Sequence, residues 1–248
     1  MPATDRPHGA PAGLDHTGPD PESAGRFYAA LFGWPHPPGG VALHPGAGAH
    51  AAWTVAFTTP DAAATARTVH RAGGTVHRCT PDERGRPAAL CTDPTGAVFA
   101  VRQTGAPFRL PWTELHTPDT AAARTFYRTV FDWQQHDLRA ERGGCTVLRP
   151  VGGGPEDGHG AIVQLPAHQA ADGIRPHWLP YFAVLDADAA AERAVRLGGS
   201  VRMTGRPVPG LGRLARLTDP YGAAFAVIAA DRPGGARPPG CSGPVGRP

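Results

Sequence analysis

Glu114 and His116 lie two residues apart in the run WTELHT, residues 112–117. In an extended strand, residues two apart share a face, so this spacing sets a carboxylate beside an imidazole. A carboxylate there holds the ring's orientation and raises its basicity, the make-up of a general base near neutral pH. The same pair also suits hydrogen bonding to a ligand, or to water at the rim of a sheet. Residue type removes other chemistries. The chain has no lysine, so neither a lysine Schiff base nor a P-loop lysine is available. Cys79, Cys91, Cys145 and Cys241 show no CxxC spacing, and free thiols are expected in a chain whose N-terminus shows no export signal. Asp20, Asp61, Asp119 and Asp186 stand where helices begin, and Asp93 and Asp219 stand in turns. These carboxylates have structural tasks.

The elements that position the pair are written twice. FYAALFGW (residues 27–34) returns as FYRTVFDW (126–133), 99 residues on, and TDPTGAVFAV (92–101) returns as TDPYGAAFAV (218–227), 126 residues on. One unit of roughly a hundred residues has been duplicated. Each helix has an Asp cap, and the first adds Pro21 and Glu22 in its opening turn. Ala24, Phe27 and Leu31, then Ala123, Phe126 and Val130, fall at helical spacing on one apolar face. Phe27, Trp34, Phe126 and Trp133 belong to this repeated helix and read as structural. A second helix per half, residues 61–74 and 186–199, follows an alternating strand (from Trp53 and Trp178) and precedes three short β runs. The order β-α-β-β-β therefore occurs twice in each half. The offset grows from 99 to about 125 between the two helices of a half, so the first half is short of about 26 residues there. A strand or two of its first hairpin is expected to be missing.

Composition sets the outer bounds. At 248 residues the chain suits two domains. Lysine and asparagine, both encoded only by codons beginning AA, are absent, as in a very G+C-rich genome such as an actinobacterium's. The arginines are scattered and the net charge is +3, without the basic stripe of a nucleic-acid binder. No apolar run approaches the roughly 20 residues of a membrane span. A cytoplasmic protein is expected, with no nucleic-acid or membrane partner.

Tandem βαβββ modules carrying D-x-x-x-A-x-x-F-Y-x-x-x-F-x-W and the closing D-P-x-G-A-x-F-A-V resemble the vicinal oxygen chelate superfamily. That group holds glyoxalases, bleomycin-resistance proteins and extradiol dioxygenases, and the chain looks like its two-domain actinobacterial members. The resemblance implies an α+β fold of two tandem domains: residues 13–104, a linker at 105–111, residues 112–230, and a Pro/Gly-rich disordered tail at 231–248.

It also implies a test, since the family's chemistry runs on a divalent metal. The matching ligand positions on the opening strands are Gly13, Thr54, Trp112 and Leu179. Those on the closing strands are Ala100 and Ala226, with Gln164 on the longer hairpin. Metal sites need imidazole, carboxylate or thiolate donors, and these side chains supply none. No metal cofactor is expected. With position 112 facing the cup, Glu114 and His116 face it too, opposite Leu179 and Tyr181. The second cup is then lined by Trp112, Glu114, His116, Leu179, Tyr181 and Gln164, the make-up of a small-molecule site. Trp112 and Tyr181 are placed either to stack on a planar ligand or to serve as plain core. The first cup (Gly13, Asp15, Thr17, Thr54, Ala56, Thr58) is small and weakly functionalised, fit for scaffold or a partner surface.

The resulting expectation is a metal-independent small-molecule-binding protein, with natural-product sequestration or an accessory role in biosynthesis. The alternative is a glyoxalase-like lyase or isomerase, or a dioxygenase-type enzyme. It would use Glu114 and His116 as an acid–base pair, or as nonstandard metal ligands with His159. The family's habit of building cups from two modules leaves a homodimer open.

Overall fold

The computed structural model describes residues 7–103, 110–138, 144–154, 157–208 and 212–230. Residues 105–109 of the expected linker and the expected tail, 231–248, lie outside them. In chain order the elements are β1 (Pro11–Gly18), α1 (Pro21–Phe32), β2 (Val41–Pro45), β3 (Ala52–Thr59), α2 (Ala62–Arg71), β4 (Thr75–Cys79), β5 (Ala88–Thr92) and β6 (Val98–Gln103). The second half adds β7 (Trp112–Thr117), α3 (Thr120–Phe131), β8 (Gln134–Leu138), β9 (Cys145–Arg149), β10 (Gly160–Gln164) and α4 (Ala167–Ala171). It closes with β11 (His177–Ala183), α5 (Ala187–Arg196), β12 (Ser200–Val208), β13 (Gly212–Thr218) and β14 (Ala224–Ala229). The caps follow from the sequence: the side chains of Asp20, Asp61, Asp119 and Asp186 each accept a first-turn backbone N–H.

Each half builds its own mixed sheet, so the fold is α+β. The first sheet runs β2-β1-β3-β6-β5-β4, and the second β12-β13-β14-β11-β7-β10-β9-β8. The missing residues of the first half are now located. Strand β2 pairs parallel with β1 as β10 pairs parallel with β7, so β2 is the closing strand, and the hairpin β8–β9 has no counterpart. Among the described residues no helix is long and apolar enough to cross a membrane.

Burial separates the faces. Outward residues of both sheets (Leu14, Val55, Phe57 and Phe99; Leu115, Trp178, Phe225 and Val227) join the helices in one shared core. Phe27 of α1 packs edge-on against Phe225 of β14 at 6.2 Å, and Phe131 of α3 packs in a tilted arrangement against Phe57 of β3 at 5.4 Å. Each half's first helix is thus buried against the other half. The inner faces stay apart as two smaller clusters, one per sheet.

Three repeated motifs meet at the seam between halves. Asp93 Oδ1 accepts the backbone N–H groups of Thr95, Gly96 and Ala97 in its own turn, and Oδ2 accepts the Tyr127 hydroxyl of α3 at 3.0 Å. Trp178 Nε1 donates to that hydroxyl at 2.9 Å. The pseudo-equivalent set is Asp219, Tyr28 and Trp53, bonded at 3.2 and 2.9 Å. It has one addition: His16 lies 2.7 Å from Asp219 Oδ2, with both side chains fully buried. At the matching place in the second half, 99 residues on, stands Leu115.

Candidate functional site

Strand alternation sets the inner face of the second sheet. Trp112, Glu114 and His116 on β7 face the same way as their register partners Tyr181, Leu179 and His177 on β11. The floor is Trp112, Val147, Ala161, Leu179, Tyr181, Leu214, Ala226 and Ile228, with Leu138, Cys145, Val163, Met203 and Ala224 partly buried around it. Trp112 and Tyr181 are 1% and 2% exposed, so they form the floor of the cup and not an open wall.

The structure brings Glu114 and His116 together and adds residues that sequence reasoning missed. His116 Nε2 lies 3.0 Å from Glu114 Oε2, and Arg216 of β13 donates to the same oxygen at 2.8 Å. Burial pushes the Glu114 carboxyl up, but the hydrogen bond and charge of His116, then Arg216 and Tyr181, outweigh it and hold the group at about 2. An ionised carboxylate only accepts, so His116 holds a proton on Nε2 toward Glu114. His177 stacks on His116 with ring centroids 5.3 Å apart. Its Nδ1–H donates to the Arg175 carbonyl at 2.8 Å, and burial with the neighbouring His116 lowers its pKa to about 4.

Three buried polar atoms on this face, Trp112 Nε1, Arg149 Nε and Arg216 Nε, have no hydrogen-bond partner among the described residues. Each such group costs about 1–3 kcal/mol when left unsatisfied, so this face holds polar donors open to further hydrogen bonding. The Tyr181 hydroxyl interacts with both Glu114 and Arg216, and burial, then the Glu114 charge, raises its pKa.

Two expectations need correcting. In the parallel register of β10 with β7, Ala161 pairs with Glu114 and Val163 with His116. Those two face the cup, and Gln164 belongs to the opposite face. Its amide donates to the Pro118 carbonyl at 3.0 Å. His159 is also elsewhere: its ring packs edge-on against Trp133 at 4.9 Å and Phe57 at 6.5 Å, on the helical side. It cannot join Glu114 and His116 around a metal. Among the described residues no three His, Cys, Asp or Glu side chains converge as ligands.

Burial lowers the His159 pKa to about 3. In the unfolded chain the ring protonates below about 6.5, so between these values the unfolded state binds more protons and stability falls as pH falls. We expect this one residue to cost about 2 kcal/mol between pH 7 and pH 5. His159→Phe, which suits the aromatic surroundings, should remove that part of the slope in urea unfolding run at both pH values. An unchanged slope would place the acid sensitivity elsewhere.

The first cup is less bare than its sequence implied. Arg102 of β6 forms an ion pair with Asp15 of β1. His44 of β2 lies 3.3 Å from Asp15 and 3.4 Å from Glu83. A Cβ on Gly13 would meet Arg102 Nη1 at 2.6 Å and the Gly40 carbonyl oxygen at 2.6 Å. The space beside this ligand position is therefore taken by a guanidinium.

A groove of about 820 Å³ opens on the helical side, walled by Phe32, Trp34, Phe182 and Leu185. Its charged residues are Asp186, which caps α5, and Arg193. With no acid–base cluster there, the inner face of the second sheet is the candidate site on chemical grounds.

Known proteins agree with this architecture. Residues 112–228 match a family model described as a glyoxalase-like domain. The anthracycline biosynthesis protein DauV of Streptomyces sp. (strain C5) is 35% identical over 89% of this chain and 93% of its own length. CFP32 of Mycobacterium tuberculosis (strain CDC 1551 / Oshkosh), which carries a provisional glyoxylase name, is 32% identical over 89% of this chain and 94% of its own. Among solved structures, the Mn(II)-bound glyoxalase from Novosphingobium aromaticivorans superposes with a TM-score of 0.61 at 16% identity, over 91% of this chain and 85% of that one. The 2,2',3-trihydroxybiphenyl 1,2-dioxygenase from Sphingomonas wittichii strain RW1 does so with a TM-score of 0.62 at 16% identity, over 90% and 91%.

Proposed function

The chain belongs to the glyoxalase-like branch of the vicinal oxygen chelate superfamily, and from that premise we propose that its second cup binds a planar, oxygen-bearing aromatic natural product without a metal. The observation that carries this is the pair of buried, unpartnered donors Trp112 Nε1 and Arg216 Nε beside the apolar floor of the inner face. Anthracyclines are flat, hydroxylated quinones, and relatives named for their biosynthesis support this ligand class. The role is then to hold such a compound, either to sequester it or to present it to a biosynthetic enzyme.

The test is a titration with 1,4-dihydroxyanthraquinone, followed by quenching of tryptophan fluorescence, on protein whose metal content is measured in parallel. Saturable micromolar binding by metal-free protein, with the dye recovered unchanged, is the expected result. Stoichiometric Zn, Fe, Mn or Ni would overturn the metal-free reading.

The 3.0 Å contact between His116 and Glu114 favours a second reading. A carboxylate fixed at low pKa orients the imidazole, and Nδ1 is then a general base for a lyase or isomerase step. Under that reading His116→Ala lowers turnover by about 10²–10⁴-fold while dye affinity changes by less than about threefold. Under simple binding there is no turnover to lose.

A further inference from the structure

The two cups arrive at one arrangement by different routes. In the second, Arg216 lies directly across from Ala226, and Glu114 directly across from Leu179. Ala226 and Leu179 are both positions at which the superfamily places metal ligands. The strand order β13-β14-β11-β7 puts two strands between the partners, about 14 Å of flat sheet. Their 2.8 Å bond therefore passes over the middle of the cup. In the first, Arg102 of β6 reaches Asp15 of β1 across β3, over Ala56 and against Gly13.

The carboxylates are repeat equivalents, Asp15 and Glu114, 99 residues apart. The arginines are not. At the 126-residue offset, Arg102 corresponds to Ile228 and Arg216 to Leu90. A cation has thus been supplied to each cup from a different strand, which argues against a feature merely inherited through the duplication.

We infer that each cup carries a built-in cation, a carboxylate-anchored guanidinium standing where the superfamily holds a divalent metal, and that Arg216 offers it to an anionic oxygen of the ligand. The Arg102 side chain is 10% exposed, against 31% for Arg216. The first cup is closed by a structural strut, whereas the second presents its guanidinium. Arg216 uses one terminal nitrogen on Glu114 and keeps a buried, unpartnered Nε–H. A guanidinium offers five donors in a planar fork, well matched to a phenolate or enolate oxygen. Glu114 offsets part of the charge, as carboxylate ligands do for a metal ion. The ligand half of this inference rests on the second cup being the binding site; the metal half does not.

Calorimetry separates the two. Zn²⁺ and Mn²⁺ are titrated into the full chain and its Glu114→Gln variant. In parallel, 1,2-dihydroxyanthraquinone, above the pH at which its phenol ionises, and neutral anthraquinone are titrated into the full chain, Arg216→Gln and Arg216→Lys. We expect no metal binding that depends on Glu114. The phenolate should bind at least about tenfold more tightly than anthraquinone. Arg216→Gln should erase that preference while still binding anthraquinone, and Arg216→Lys should keep part of it, deciding the matter even if the Gln variant folds poorly. Stoichiometric metal binding lost in Glu114→Gln would overturn the built-in cation. A preference that survives both arginine replacements would overturn its role toward the ligand. If neither dye binds, the binding-site reading falls and the metal titration alone decides the cation.

Discussion

Asp219→Ala is expected to lower the free energy of unfolding by about 4 kcal/mol, the largest single loss at the seam between the halves. The Asp219 carboxylate accepts two turn N–H groups at 2.9 Å, the Tyr28 hydroxyl at 3.2 Å, and faces His16 at 2.7 Å. Asp219 is 2% exposed and His16 is fully buried, so removing the carboxylate strands an imidazole and a hydroxyl away from water. Asp93→Ala should cost less, about 3 kcal/mol, because Leu115 occupies the place of His16 and no imidazole is left stranded. A double change tests the cause. His16→Leu with Asp219→Asn copies the apolar side of the other seam, and replacing both members of a buried pair costs far less than removing one. It should restore about half of the loss or more. Urea unfolding followed by tryptophan fluorescence measures all four proteins. A cost below about 1 kcal/mol for Asp219→Ala would mean that this network does not hold the halves together.

Installing the superfamily's metal ligand in the first cup, Gly13→His, should destabilise the chain by about 3 kcal/mol and should not create a zinc site. Even Gly13→Ala should cost about 2 kcal/mol. The added Cβ would stand 2.6 Å from both Arg102 Nη1 and the Gly40 carbonyl oxygen. The guanidinium has some freedom to swing aside, but only by giving up Asp15. The carbonyl has little, because it accepts the Leu14 N–H at 2.8 Å and so ties β1 to the start of β2. Unfolding free energies for the two variants, with zinc titrated into the histidine form, decide the point. A loss under about 0.5 kcal/mol, or zinc bound by the variant, would show that the first cup still has room for the family's site.

Much of the molecule was legible from local chemistry. Asp caps, apolar helix faces at 3- and 4-residue spacing and D-P-x-G turns depend on residues close together in sequence. They placed the first and second helix of each half, with the extent of β7 as read, but not the short helix α4. The changing repeat offset located the lost hairpin, which the pairing of β2 with β1 confirms. Alternation put Glu114 beside His116, and their contact is there. Arg102 was readable by the same rule, since it stands two residues beyond Ala100 on one strand face.

The rest depended on register and layering. Gln164 was placed in the cup by counting along the repeat, and a one-residue difference in register reverses a side chain's face. Val163 points inward instead. His159 lacked a local signal for the side it packs on, because it precedes its strand and turns toward Trp133. Asp93 and Asp219 declared themselves as turn residues, but their second oxygens meet tyrosines of the opposite half. Arg216 lies 102 residues from Glu114, and His177 meets His116 only through the pairing of β11 with β7. Caps, turns and face alternation are short-range and were settled by the sequence alone. Which arginine crosses which cup is settled by strand order and by the small residues beneath it, and that required the folded sheet.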